Sequence, residues 1–107
     1  MARPRSTGPT AAELQILHVL WTSGPSTVRQ IHNALKQTRR SGYNSALKLI
    51  QIMHDKGLVR RDESVRPLIF KPAMTREKMQ RWIVQDVAER AFQGSMDDLI
   101  AAAKIAA

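Results

Sequence analysis

Apolar residues recur at helical spacing in the first part of the chain. Leu14, Leu17, Leu20 and Trp21 lie three or four apart, and the T-x-x-E pair Thr10 and Glu13 just ahead of them is the signature of a capping box. A first helix is therefore expected from Thr10 to about Thr22, stopped by Ser23-Gly24-Pro25. Thr27 and Gln30 repeat the capping pattern and open a short second helix with Val28, Ile31 and Leu35 on one face. It runs out in the polar, doubly basic turn Thr38 to Gly42. A third helix is expected to start near Tyr43 or Asn44 and to end before Gly57, a C-cap glycine. Its apolar stripe is Ala46, Leu49, Ile50 and Met53; at 100° per residue Asn44, Lys48, Gln51 and Asp55 fall together on the opposite face.

After Gly57 the period shortens. Leu58 to Asp62 and Pro67 to Lys71 read as two short strands of a hairpin, with Pro67 fitting only an edge or a strand start. Val65 in the turn disfavours φ > 0, so a tight two-residue turn is not expected. Thr75 then caps a fourth helix reaching about Gln93, with Met79, Ile83, Val84, Val87, Ala88, Ala91 and Phe92 on a wide apolar arc and Trp82 to one side. Gly94 interrupts, and Ser95 caps a last helix with Met96, Leu99, Ile100 and Ala103 on one face. The expected fold is mainly α with a small β-hairpin wing: a winged helix-turn-helix followed by C-terminal dimerisation helices. Residues 1–9 are expected to form a flexible basic arm, 10–73 a DNA-binding domain and 74–107 a helical dimerisation segment.

Composition narrows the function. Seventeen Lys and Arg against nine Asp and Glu give 107 residues a net charge of +8, which favours a polyanionic partner. There is no Cys, so disulfides, thiolate metal sites and a Cys nucleophile are excluded. His18, His32 and His54 sit one to a helix without an i, i+4 pair, so no metal is expected. No nucleophile elbow, zincin, P-loop or dinucleotide fingerprint occurs, and the carboxylates are scattered. Neither an enzyme nor a cofactor is expected, and the absence of an apolar run or signal segment points to a cytoplasmic protein.

In a helix-turn-helix the third helix enters the major groove with its N-terminal residues near base edges. Asn44 suits adenine, Lys48 guanine or phosphate, and Gln51 a base one turn further on; Ser45 is a further candidate beside them. Arg39, Arg40 and Tyr43 around the helix start, and Arg60, Arg61, Arg66 and Lys71 on the wing, are candidates for phosphate contact. Two readings compete with a sequence-specific reader: an unspecific architectural DNA-binding protein, and a basic membrane-surface or protein-interaction module. The basic residues cluster around the expected DNA face and not along the C-terminal apolar stripe, which argues against the membrane.

Leu14 to Trp21 (LQILHVLW), Thr27 to His32 (TVRQIH) and Gly42 to Glu63 (GYNSALKLIQIMHDKGLVRRDE) resemble the penicillinase and methicillin-resistance repressors (BlaI/MecI type). The likeness spans roughly residues 10 to 95. It implies a winged-helix homodimer that shuts off transcription at a palindromic operator, with Tyr43 to Lys56 reading double-stranded DNA and the helices after the wing dimerising. Ile83, Val87, Ala91, Leu99 and Ile100 are the expected dimer contacts, and an unidentified sensor or protease is a further expected partner. Three departures stand out. The chain stops at Ala107, where relatives continue for another helix or more, so a small dimer contact is expected. Asp98-Leu99-Ile100-Ala101 stands where relatives carry a cleavable Asn-Phe bond, and Val65 stands where many have a wing-turn glycine.

Overall fold

The computed structural model describes residues 8–36 and 42–107. Five helices and one hairpin follow in the order α1 (Ala11–Ser23), α2 (Val28–Leu35), α3 (Tyr43–Asp55), β1 (Val59–Asp62), β2 (Ile69–Pro72), α4 (Arg76–Ala91) and α5 (Met96–Ala106) among the described residues. The order is that of a winged helix-turn-helix followed by C-terminal helices, as expected. The chain divides into two compact units, the first ending at Thr75 and the second running from Arg76 to Ala107.

Both capping boxes form. Thr10 Oγ1 accepts from Glu13 N at 3.2 Å while Glu13 Oε1 accepts from Thr10 N at 2.9 Å. Thr27 and Gln30 reciprocate at 3.2 and 2.9 Å. These bonds satisfy two of the amides that a helix start otherwise leaves without partners. Gly24 and Gly57 end α1 and α3 at φ +85° and +82°, a region that a side chain rarely adopts. Beyond Gly57 the Leu58 amide returns to Met53 O at 2.9 Å, turning the chain from helix into hairpin.

The first unit is built around Ile16, Leu17, Leu20, Ile31, Ile50 and Met53, all nearly inaccessible to water. The expected stripe of α2 is buried in full. That of α3 is buried at Ala46, Ile50 and Met53, with Leu49 half-buried at its margin. In α1 the buried face is displaced: Ile16 lies in the core, whereas Leu14 and Trp21 are half-buried. Trp21 instead spends its indole N–H on Met74 O at 3.0 Å, which fastens the end of α1 to the segment leaving the hairpin. One charge joins this core. The Glu13 carboxylate, 2% exposed, accepts Lys56 Nζ at 2.8 Å, so the capping residue of α1 also holds the end of α3.

The hairpin is antiparallel with Val59 opposite Pro72, Arg60 opposite Lys71, Arg61 opposite Phe70 and Asp62 opposite Ile69. The second strand therefore begins two residues later than the sequence pattern suggests, and Pro67 lies in the turn rather than in the strand. Glu63 to Leu68 form that turn, longer than a two-residue connection. A bridge absent from the sequence reading joins Ser26 to Phe70, with N–H···O distances of 3.0 and 2.8 Å in the two directions. The loop between α1 and α2 thus adds a third, one-residue rung beside the hairpin.

In the second unit α4 ends at Ala91, where Gln93 and Gly94 adopt φ of +52° and +85° and reverse the chain. The Ser95 hydroxyl accepts from Asp98 N at 3.1 Å and starts α5. Trp82 is buried along with Met79 and Ala88, not displaced to one side of the arc, whereas Val84 is exposed. No residue of α5 is buried.

Replacing one member of a buried ion pair leaves the other without compensation, at a cost of several kcal/mol. Lys56→Ala is expected to lower stability in urea unfolding by about 2–4 kcal/mol. A loss below about 0.5 kcal/mol, the level of a surface substitution, would contradict the role given to this pair.

Candidate nucleic-acid interface

The exposed face of α3 presents Asn44, Ser45, Lys48 and Gln51 to solvent, as the 3.6-residue period requires once Ala46, Ile50 and Met53 are buried. Gly42 precedes the helix and has no side chain, so among the described residues α3 starts without the side-chain cap bond that α1 and α2 have. Tyr43, the first residue of α3, meets two side chains of α2. The Arg29 guanidinium lies 4.8 Å from the centre of its ring, and His32 meets it edge-on at 6.1 Å. His18 packs edge-on against Trp21 at 5.3 Å, so two of the three histidines are engaged in ring contacts.

The wing's basic residues separate by strand alternation. Cross-strand partners share a face, and successive residues point to opposite faces. Arg60 and Lys71 are paired on one face; Arg61 is paired with Phe70 on the other. Arg61 therefore turns toward α3, and lines a cleft there together with Tyr43 and Gln51. Arg66 folds back on its own turn, with one guanidinium nitrogen donating to Glu63 O at 2.8 Å and Val65 O at 2.9 Å. Asn44, Ser45 and Lys48 lie outside that cleft, on the open side of α3. Arg39, Arg40 and the basic arm through Thr7 lie outside the described residues.

Two carboxylates sit among these cations, and both are tied down. The Ser64 hydroxyl and then the Ser64 amide donate to Asp62, holding its carboxyl below the usual range. Arg61 Nε donates to Glu63 at 2.6 Å and, with its charge, does the same for that group. The wing tip keeps its turn by these bonds while its acids offset part of its positive charge.

Pattern reading missed the contribution of α2. Arg29, Gln30 and Asn33 line the same cleft as Tyr43, Gln51 and Arg61. The signal was present, since burying Val28, Ile31 and Leu35 leaves Arg29 and Asn33, four apart, on one exposed face.

The family model of the penicillinase repressor matches residues 9–104. The chain belongs to the penicillinase repressor family. This is a regulatory, DNA-binding family of transcriptional repressors and not a family of enzymes. The match covers both units of the repressor, including the α4–α5 segment. No curated protein matches the repressor chain. No described helix is long and apolar enough to cross a membrane.

Because both wing carboxyls are depressed when folded, the order they confer is present above the unfolded carboxylate range and is lost as pH falls through their lowered folded values. Carbon NMR titration of the repressor should place the Asp62 and Glu63 midpoints each below the ordinary value of its own residue type. Ser64→Ala should move Asp62 back up, and an Asp62 midpoint indifferent to Ser64→Ala would refute the assignment.

Proposed function

We propose that this repressor is a homodimer that reads a palindromic operator in the cytoplasm with α3. The observation that carries this reading is the solvent-facing row Asn44, Lys48 and Gln51 on the helix that follows the helix-turn-helix bend, bordered by a wing with basic residues on both faces. Asn44, Ser45, Lys48 and Gln51 contact base edges. Tyr43, Arg60, Arg61, Arg66 and Lys71, together with Arg39 and Arg40, hold the sugar–phosphate backbone on either side.

Dimerisation is assigned to the second unit. Ile83, Val84, Val87, Phe92 and Leu99 line an apolar cleft of about 340 Å³ between α4 and α5, and Ile100 is 46% exposed. Ala91 lies exposed at the end of α4. A continuous apolar surface of this kind is what a second copy covers. Two-fold pairing of the chain matches a site with two-fold symmetry.

Selection from a random duplex library tests the reading directly. The wild-type repressor is expected to enrich two inverted half-sites, whereas an architectural protein would enrich none. On the recovered site, Asn44→Ala and Lys48→Ala should each cost about 1–3 kcal/mol and relax preference at one base position. Retention of the wild-type preference by both variants would remove α3 as the reader.

Val87→Glu or Leu99→Glu should give a folded monomer with much weaker operator binding, measured by sedimentation with and without DNA. A wild-type protein that saturates the palindrome as a single copy would contradict the dimer.

A further inference from the structure

The cleft between α2, α3 and the wing has a composition that the DNA-reading role leaves unexplained. It holds about 530 Å³, within the range of small-molecule sites. Its walls include Val28, Leu47, Leu68 and Phe70, which offer nothing to a hydrated sugar–phosphate chain. Its charged lining consists of Arg29 and Arg61, with no carboxylate among the lining residues. Thr27, Tyr43 and the amide side chains of Gln30, Asn33 and Gln51 complete the polar part.

Apolar walls with two guanidinium groups, one of them also paired with Glu63 outside the lining, and no acid in the lining itself favour an anion with an apolar body. A guanidinium fork matches a carboxylate with two parallel N–H···O bonds. Arg29 is held over the Tyr43 ring, which reduces the freedom it must lose on binding. Arg61 gives its Nε to Glu63, and a guanidinium has five N–H donors in all. We infer that this cleft is an effector site for a small apolar carboxylate, aromatic or branched aliphatic, whose binding releases the repressor from DNA.

The release follows from shared residues and rests on the proposed DNA-reading role. Tyr43, Gln51 and Arg61 line the cleft and are also assigned to DNA. A bound carboxylate takes up Arg61 and adds negative charge where phosphate would approach. Ligand and duplex then exclude one another, and each weakens the other by the same factor.

The probes are 2-naphthoate and its neutral counterpart 2-naphthamide, added to the full chain. Without DNA, 2-naphthoate should shift backbone amides of Val28 to Asn33, Tyr43 to Gln51 and Arg61 to Phe70. It should bind about tenfold or more tightly than the amide. Arg29→Gln should weaken it about tenfold, Arg29→Lys should recover part of that, and Arg61→Gln serves as the second variant if Arg29→Gln does not fold. With labelled duplex present, the 2-naphthoate concentration needed for half-release should rise with duplex concentration. No saturable shift up to about 10 mM would overturn the site, as would shifts confined to Ile83 to Ala106, or equal binding of the amide. Binding in the cleft without duplex release would overturn the effector role. DNA titrations without naphthoate test the reading of α3 separately, so the two failures are distinguishable.

Discussion

The position of α3 rests on a carboxylate that the chain buries under its first helix. Glu13 caps α1 through the Thr10 amide and, with the same oxygen, accepts Lys56 beyond the end of α3. A buried charge is tolerated only when paired and hydrogen-bonded, so moving the end of α3 away from α1 would leave the Glu13 carboxylate uncompensated. Around it Ile16, Leu17, Ile50 and Met53 are close-packed, and a helix packed on one side and pinned at its end has its opposite face fixed. Asn44, Lys48 and Gln51 occupy that face.

A second constraint acts through the hairpin. The Ser26 bridge to Phe70 locks the start of α2 to the wing, and Arg61 shares a face with Phe70. One register therefore sets which wing arginine turns toward α3 and which turns away with Lys71. A one-residue slip would exchange them. The cleft beside α3 is a product of the same register, because Phe70 and Leu68 form its apolar side and Arg61 its cationic edge.

Much of this was legible in the residues. Capping boxes at Thr10 and Thr27 and the stops at Gly24 and Gly57 are local chemistry, written in adjacent positions, and the helix order followed from them. The polar row of α3 was legible because the apolar stripe opposite it has a regular period. What the sequence did not disclose was long-range. Glu13 reads as a capping residue, and its pairing with Lys56 across 43 positions leaves no local trace. The Ser26 rung is a single residue, too short for any periodicity. The start of the second strand was misplaced because Pro67 and Leu68 share the apolar character of the strand that follows them. Arg60 and Arg61 looked equivalent until pairing put them on opposite faces.

In the proposed function, α3 and the wing form the DNA-binding face. Backbone amide shifts on adding duplex DNA to the full chain test it most directly, since each residue reports for itself. The largest changes are expected on Tyr43 to Gln51 and on the hairpin from Arg60 to Lys71, with little change at Ile16 and Leu17 in the core. Shifts concentrated on α5, with α3 and the wing unmoved, would contradict it.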